Sequence, residues 1–377
     1  MSSTAIRHPV FRPTLPDSAE IQDQITQIFN SFQVTVGSKV AELEEAACVR
    51  MDVKNVVAVS SGTSGLMLLL RALDLPEGGE VITPSFTFAA TSHALLWNNL
   101  KPVYCDSEPK SFTMDPEAAQ TLITERTCAI YPVCVFGVPG DLDAYQRIAD
   151  EHGLKLIYDS AQGTGSTYRG TPLGNFGIAE VFSMSPTKVV TALEGGMITT
   201  NDDELAAKLR YMRDYGKAPD GEDMHHLGLS ARMGEINAVV GCWSLDRIDT
   251  WIANRTKVME RYRRRLTGIP GVSYQAIPDC CTSSRNYIVI LLDPDEAPLT
   301  RDELYKKLKS DGIQTKRYFY PPVHRQTLFR DIEPECGARL QVAERISDRS
   351  LALPMYSHMS LDTVDEICDC ILGYAGQ

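Results

Sequence analysis

The segment VVAVSSGTSGLMLLLRALDL, residues 56–75, joins a short apolar run to a leucine-rich run through a loop of small residues. The first run is apolar and β-branched, which is typical of a strand buried on both faces, and the second predicts a helix. The unit then repeats, because EVITPSF (80–86) precedes AATSHALLWNN (89–99). Alternating strands and helices predict an α/β fold with a parallel sheet, in which ligands bind at the carboxyl ends of the strands.

Further short apolar runs continue this pattern through the first two thirds of the chain. They are KPVYCD (101–106), AIYPVCVFG (129–137), KLIYD (155–159), VFSMS (181–185) and GGMITTND (195–202). After Ala231 the pattern changes to one or two long amphipathic helices, then a strand at 285–292 and a helix at 301–312. We therefore predict a large domain over residues 1–250 with a mostly parallel mixed sheet, and a smaller α+β domain over residues 251–377.

Composition argues against several classes of protein. A formal net charge of −12 makes a nucleic-acid partner improbable, because nucleic-acid binders need a cationic surface to neutralise phosphates. The N-terminal stretch MSSTAIRHPVFRP lacks the apolar core of a signal peptide, and no apolar run reaches membrane-spanning length. We expect a cytoplasmic protein with no membrane partner. The ten cysteines form no CxxC motif, so we expect unpaired thiols and no metal site.

The loop SSGTSG (60–65) lies between the first predicted strand and helix. Backbone N–H groups at a helix N-terminus favour a phosphate, because the helix dipole and the unpaired donors point at it. The sequence is neither a Walker A loop nor GxGxxG, which argues against a nicotinamide oxidoreductase. A simple strand-to-helix turn remains the alternative to a phosphate site.

Two more polar or aromatic segments follow strands. Asp159 ends the run KLIYD, so its carboxylate should emerge in the crevice at the sheet end, with Gln162 within reach of the same ligand. Alternatively, Asp159 caps the next helix. In PSFTF (84–88), Phe86 or Phe88 could cover one face of a planar ring, although core packing is the more common role of such residues.

Lys188 lies in SMSPTKVVTALEGG (183–196), with no charged neighbour before Glu194. A lysine amine becomes a nucleophile through desolvation or nearby positive charge, although a loop lysine can also simply extend into solvent. A phosphate nest, a carboxylate, a ring-stacking aromatic and a lysine amine are together what pyridoxal 5'-phosphate (PLP) requires. The carboxylate keeps the pyridine nitrogen protonated and the lysine holds the aldehyde. An NAD site would need none of the last three groups.

With these motifs the sequence resembles the DegT/DnrJ/EryC1/StrS group of sugar aminotransferases, which are PLP enzymes of fold type I, like aspartate aminotransferase. Nearly the whole chain takes part in the resemblance. The matching segments include SSGTSGLMLLLRAL, GGEVITPSFTFAATSHALL, KPVYCDSEPKSFTMDP, FGVPGDLDAYQRIADEHGLKLIYDSAQGTGSTYRG, FSMSPTK, EGGMITTND, GLSARMGEINAVVG and GIQTKRYFYPPVH.

The resemblance implies a role for each matching position. Lys188 would hold the cofactor aldehyde and later shuttle the proton between cofactor and substrate. The implied cofactor contacts are Asp159 with the pyridine nitrogen, Gln162 with the ring hydroxyl, Phe88 rather than Phe86 on the ring face, and Thr63, Ser64 and Ser183 with the phosphate. A dehydratase branch of the family has histidine in place of this lysine, so Lys188 favours transamination. The presence of Lys188, Asp159 and Gln162 together also argues against a non-catalytic sensor or scaffold.

The resemblance further implies a homodimer in which both chains build each active site. Many relatives carry an asparagine in a GxNxRM segment that reaches the cofactor phosphate of the partner. This chain has GLSARM instead, and the shorter Ser230 would take that position. The segment SMSPTK also has Met184 and Ser185 where relatives often have an aromatic residue and a histidine.

The reaction that the resemblance implies is a ping-pong transamination through PLP and its pyridoxamine form (PMP). L-Glutamate or L-glutamine would donate the amino group, and a nucleotide-linked keto-deoxysugar would accept it. The segments RNYIVIL and KRYFYPPVH look like the branch that aminates C4 of dTDP-4-keto-6-deoxyglucose, with Arg317, Tyr318, Tyr320 and His324 near the substrate. Amination of a 3-keto sugar or a keto-cyclitol, and sugar dehydration, are the alternatives.

Overall fold

The computed structural model describes residues 5–218 and 220–376. Its helices are α1 (Ser18–Ser31), α2 (Ser38–Met51), α3 (Gly62–Ala72), α4 (Ala90–Trp97), α5 (Pro116–Thr121), α6 (Leu142–His152), α7 (Asp203–Met212), α8 (Glu235–Asp246), α9 (Ile248–Leu266), α10 (Arg301–Ser310), α11 (Gln341–Arg349) and α12 (Leu361–Ala375). Its strands are β1 (Asn55–Val59), β2 (Glu80–Pro84), β3 (Lys101–Cys105), β4 (Thr127–Ile130), β5 (Lys155–Asp159), β6 (Thr167–Tyr168), β7 (Thr171–Pro172), β8 (Ala179–Ser183), β9 (Gly196–Thr200), β10 (Val272–Tyr274), β11 (Cys281–Thr282), β12 (Ile288–Leu292) and β13 (Ser350–Leu353). Short 3-10 helices cover Val323–Arg325 and Cys336–Arg339.

A seven-stranded sheet in the order β1-β9-β8-β5-β4-β2-β3 forms the centre of the fold. Strands β8, β5, β4, β2 and β3 run parallel to one another, whereas β9 runs antiparallel to both β8 and β1. The connection from β8 to β9, residues 184–195, has no helix that could carry the chain across the sheet face, so the chain returns directly. The predicted α/β fold with a mostly parallel mixed sheet is confirmed.

Hydrophobic cores lie on both faces of this sheet. Along β1, Val56 and Ala58 pack in one core, and Val57 and Val59 pack in the other. Helices α2 and α8 cover the first face, and α3 and α7 cover the second. Because both faces are buried, the strand reads as a continuous apolar run without polar alternation.

Two smaller antiparallel sheets lie outside the central one, with the orders β10-β12-β13 and β11-β6-β7. Helices α8 and α9 are the two amphipathic helices predicted after Ala231, separated at Arg247. Helix α9 runs through the predicted domain boundary at residue 250, so the division into two domains stays a prediction. Its outer limits, residues 1 and 377, lie outside the described residues.

The N-terminal segment packs on the C-terminal part of the chain. Arg7 N donates to Gly312 O at 2.8 Å, and Gln314 N donates to His8 O at 2.8 Å. Met355 N donates to Val10 O at 3.0 Å. Residues at opposite ends of the sequence are therefore joined by backbone hydrogen bonds. Within the described residues, no helix combines the length and apolar composition needed to cross a membrane.

A buried carboxyl group fixes the loops that border the sheet end. Glu180, the second residue of β8, is only 1% exposed and accepts hydrogen bonds from the Ser160 hydroxyl and from the backbone N–H groups of Gly174 and Phe176. Burial raises the pKa of this carboxyl to about 7, although these hydrogen bonds oppose the rise. Glu180 therefore links Ser160, which follows Asp159, to the loop before β8.

The raised pKa of Glu180 predicts a pH-dependent cost in stability. The folded protein binds the proton more tightly than the unfolded chain does, so this contribution to stability is present below pH 4.5 and is lost as pH rises through about 7. We expect Glu180→Gln, which keeps the shape of the side chain, to gain about 2–3 kcal/mol over the wild type between pH 5 and pH 8. Denaturant unfolding of both proteins at the two pH values measures this. If the difference in unfolding free energy between the two proteins is the same at pH 5 and pH 8, the pKa of Glu180 is not raised.

Candidate active site

A cavity of about 350 Å³ opens at the carboxyl ends of β5 and β8. This is where a parallel α/β sheet is expected to bind ligands, and the volume suits a small molecule. The predicted site residues that line the cavity are Thr63, Phe88, Asp159, Gln162, Ser183, Lys188 and Tyr318. The structure therefore brings together side chains from five separate segments of the sequence.

The start of helix α3 forms one wall. Ser61 Oγ accepts a hydrogen bond from Ser64 N at 3.0 Å, and Ser61 O accepts one from Gly65 N at 3.1 Å. The N–H groups left outside this cap are those of Gly62 and Thr63, and both residues line the cavity. The structure differs from the prediction at Ser64, because its N–H and its hydroxyl are both engaged with Ser61. Gly62 takes its place beside Thr63 as a donor to an anion.

A close backbone approach supports this wall from behind. A side chain at Gly196 would place its Cβ atom 2.6 Å from Gly62 N and 2.7 Å from Ser61 C. Only glycine therefore lets β9 pass directly beside the loop that begins α3. Gly196, the second glycine after Glu194, is thus a packing requirement of the loop that begins α3.

Asp159 ends strand β5 and is only 4% exposed. Its Oδ2 accepts a hydrogen bond from Thr91 Oγ1 at 2.7 Å, and its Oδ1 accepts one from Ala161 N at 3.1 Å. Burial raises the pKa of this carboxyl, while these two hydrogen bonds and the charge of Lys188 oppose the rise. The Thr91 hydroxyl also contacts the Thr87 hydroxyl at 2.9 Å, which extends the polar chain to the cavity wall. A cationic ring nitrogen is a suitable partner for such a carboxylate.

Gln162 lies next to Asp159 on the same wall. Its Oε1 accepts a hydrogen bond from Phe136 N at 2.8 Å, which leaves the amide NH₂ group as the donor for a ligand. The two phenylalanines of PSFTF differ sharply. Phe86 is fully buried among Phe112, Phe136 and Phe319, whereas Phe88 is 60% exposed and lines the cavity. Phe88 is therefore the one placed to cover a planar ligand.

Lys188 lies half-buried in the loop between β8 and β9. Hydrogen bonds from Met184 N to Gly195 O and from Ala192 N to Met184 O, both 2.9 Å, close this loop on itself. Asn237 Nδ2 donates to Ala192 O at 2.8 Å and to Glu194 O at 2.9 Å, which ties the loop to helix α8. Because the loop is anchored at both ends, the Lys188 side chain faces the cavity from a fixed backbone.

Of the predicted substrate residues, only Tyr318 lines the cavity. Arg317 pairs with Asp302 at 3.2 Å, and its guanidinium lies 5.1 Å from the ring centre of Tyr320. His324 is buried, with Nδ1 2.5 Å from Ser85 Oγ and Nε2 2.9 Å from Glu344 Oε1. The structure therefore engages Arg317, Tyr320 and His324 in contacts outside the cavity. Ser230 is exposed and also lies outside it.

Sequence reasoning missed several residues of the cavity. Thr87, Tyr287 and Lys316 line it, and Thr91 contacts Asp159 from just behind the wall. Thr87 and Thr91 are four residues apart, a spacing that brings two side chains together on a helical turn. Lys316 begins the segment KRYFYPPVH, which contains the residues predicted to meet the substrate. Tyr287 lies in RNYIVIL directly before the apolar strand β12, and nothing in the sequence distinguished it from that strand.

The Thr91 hydroxyl should control the charge of Asp159. A hydrogen bond to a buried carboxylate is worth about 1.5–3 kcal/mol, so Thr91→Val should raise the pKa of Asp159 by about one to two pH units. Titration of the aspartate carboxyl carbons by ¹³C NMR measures the change. Thr91→Ser keeps the hydroxyl and should leave the titration near that of the wild type. If Asp159 titrates alike in the wild type and in Thr91→Val, the Thr91 hydroxyl does not control its charge.

Three comparisons with known proteins agree with this geometry. The sequence model of the DegT/DnrJ/EryC1/StrS aminotransferase family matches residues 16–372. The chain is 32% identical over 367 residues to dTDP-4-amino-4,6-dideoxy-D-glucose transaminase of Escherichia coli, which covers 97% of this chain and 98% of that protein. It is 33% identical over 338 residues to GDP-perosamine synthase of Caulobacter vibrioides, covering 88% of this chain and 89% of that protein.

Among solved structures, DesI in the presence of its TDP-sugar product matches with a TM-score of 0.92 and 33% identity. That match covers 100% of this chain and 95% of the DesI chain. The fold expected from the resemblance, that of the type I aminotransferases, is thereby confirmed. The chain therefore belongs to the DegT/DnrJ/EryC1/StrS aminotransferase family and is a sugar aminotransferase.

Proposed function

We propose that the protein uses PLP to transfer the amino group of L-glutamate or L-glutamine to C4 of dTDP-4-keto-6-deoxyglucose. The observation that carries this proposal is the meeting of Lys188, Asp159, Gln162 and the start of α3 around one cavity. The name of the Escherichia coli relative, a transaminase of dTDP-4-amino-4,6-dideoxy-D-glucose, supports the choice of the acceptor. The TDP-sugar product in the DesI structure supports a nucleotide-linked substrate.

The donor set of the cavity fits the cofactor. Gly62 and Thr63 offer two N–H groups and Ser183 a hydroxyl to a phosphate, Asp159 offers a buried carboxylate to a pyridinium, and Phe88 offers a ring face. When bound, PLP supplies an aldehyde for the amino group and an electron-withdrawing ring. Asp159, which accepts a hydrogen bond from Thr91, would keep the ring nitrogen protonated. Lys188 Nζ would move the proton between substrate and cofactor in each half of the reaction.

Other features of the cavity support an anionic substrate. Lys316 faces the same space as Lys188, and its Nζ lies 5.4 Å from the ring centre of Tyr318. A lysine in this position can bind the carboxylate of an amino-acid donor or the diphosphate of a sugar nucleotide. The apolar and aromatic members of the wall, among them Val133 and Phe319, limit the water around the reacting atoms.

We also infer a homodimer that shares its active sites. Phe88 and several other apolar side chains of the described surface are strongly exposed, and Phe32 is 90% exposed. Burying such side chains against a second copy of the chain would remove apolar surface from water. Ser230, exposed and outside the cavity of its own chain, is free to approach the cofactor phosphate of the partner.

The function is tested by following the sugar product. The wild type with PLP and glutamate should convert dTDP-4-keto-6-deoxyglucose into the 4-amino sugar, read by mass spectrometry and NMR. Lys188→Ala should lower the rate at least about 100-fold, because it removes the proton-transferring group. Lys155→Ala is the matched control, since Lys155 is exposed at the opposite end of strand β5.

Other products would point to other reactions. Loss of water in place of a gain of nitrogen would contradict transamination and indicate a dehydratase. Nitrogen at C3, or turnover of only a keto-cyclitol, would contradict the proposed acceptor while keeping the transaminase chemistry.

A further inference from the structure

A tyrosine outside the predicted set lies beside Lys188. Tyr287 lines the cavity at 7% exposure. Its ring packs edge-on against Phe136, with ring centres 5.9 Å apart, and at a tilt of 55° against Tyr318, with ring centres 5.0 Å apart. Its phenol oxygen is in polar contact with the side chains of Thr187 and Tyr318. Tyr287 is thus a buried phenol with a fixed ring and a hydroxyl directed at the residue that precedes Lys188.

A hydrogen bond between the two segments sets their alignment. Val189 N donates to Asn286 Oδ1 at 3.2 Å. This bond joins the residue after Lys188 to the residue before Tyr287. The two residues are therefore tied together through their neighbours and line the same cavity, although 99 positions separate them in the sequence.

A second cation lies behind Tyr287. The Arg255 side chain is 3% exposed and donates to Arg285 O at 3.3 Å, Asn286 O at 3.1 Å and Ser357 Oγ at 2.9 Å. No carboxylate of the described chain forms an ion pair with it. Its positive charge is therefore left to act on the neighbouring phenol.

The two phenols of this wall differ in acidity. Burial would raise the pKa of Tyr287, but the charge of Lys188, the contacts with Thr187 and Tyr318 and the charge of Arg255 lower it below its ordinary value of 10. Burial and the neighbouring Tyr287 raise the pKa of Tyr318. The charged or titratable groups facing Tyr287 are thus Lys188 from the β8–β9 loop, Arg255 from α9 and Tyr318, with Lys316 above the Tyr318 ring.

We propose that Tyr287 is a second acid–base residue of this site, which exchanges a proton with Lys188. The phenol O–H bond breaks as a third N–H bond forms at Lys188 Nζ, giving a phenolate and an ammonium, and the reverse step restores the neutral pair. Tyr318 and Thr187 hold the phenol oxygen in place through the cycle. This proton exchange would return Lys188 to its starting protonation state between the two halves of the transamination. Only this purpose rests on the proposed function.

The first test uses the full-length chain without added PLP. Phenolate formation is followed by ultraviolet absorbance as pH rises. One of the 15 tyrosines should ionise below pH 10 in the wild type, and that step should be absent in Tyr287→Phe. Lys188→Ala should move the same step to higher pH, because it removes the nearer cation. Persistence of the step in Tyr287→Phe, or its indifference to Lys188→Ala, would overturn the proposal.

Tyr274→Phe is the matched control. Burial raises the pKa of Tyr274 to about 12, and its hydroxyl has no hydrogen-bond partner in the described part of the chain. Tyr274→Phe should keep the tyrosine ionisation below pH 10 and the activity of the wild type. Phenylalanine at 287 keeps the ring that packs on Phe136, and equal thermal midpoints for the two variants would confirm that both fold.

The second test measures the half-reaction with glutamate. Tyr287→Phe should lower kcat by about 100-fold with little change in KM, and should remove one limb of the pH profile of kcat. A loss of less than about threefold with an unchanged profile would show a packing role and overturn the proposal. A wild type that shows the tyrosine titration but no transamination would refute the proposed function while leaving the Tyr287–Lys188 pair established.

Discussion

The site depends on a carboxyl group that is buried away from water beside groups that stabilise its charged form. Asp159 lies at the end of a central strand with almost no exposed surface, and burial alone favours its neutral form. The neighbouring structure compensates with a hydroxyl from α4, a backbone N–H from the next turn and a lysine across the cavity. Each of these groups comes from a different segment, so the correct fold of the whole sheet is needed before this charge becomes tolerable.

The strands and their order along the chain could be predicted because burial on both faces imposes a simple pattern. Each of the predicted runs 56–61, 80–86, 101–106, 155–159 and 181–185 overlaps a strand, and these strands end at Val59, Pro84, Cys105, Asp159 and Ser183. Their carboxyl ends carry the small, polar and aromatic residues that form the cavity, so Thr63, Phe88, Asp159, Gln162 and Lys188 could be named in advance. Their roles toward a cofactor remain proposals.

Other parts could not be predicted, for physical reasons. Whether Ser64 offers its N–H group to an anion depends on the χ angle of Ser61, which caps the helix. Whether His324 meets a substrate depends on Ser85 and Glu344, which are distant in sequence and bind both of its ring nitrogens. Tyr287 could not be identified for a similar reason, since the hydrogen bond from Val189 N to Asn286 Oδ1 joins segments that are far apart in the sequence.

The backbone pairing between the two ends of the chain has a consequence for biosynthesis. Val10 is made on the ribosome long before its partner Met355. The N-terminal segment must therefore wait without its final contacts until that distant part of the chain has been made, and closing so long a loop is a slow event. The strands of the central sheet are all made earlier than Met355, so this sheet can assemble before the N-terminal segment is paired.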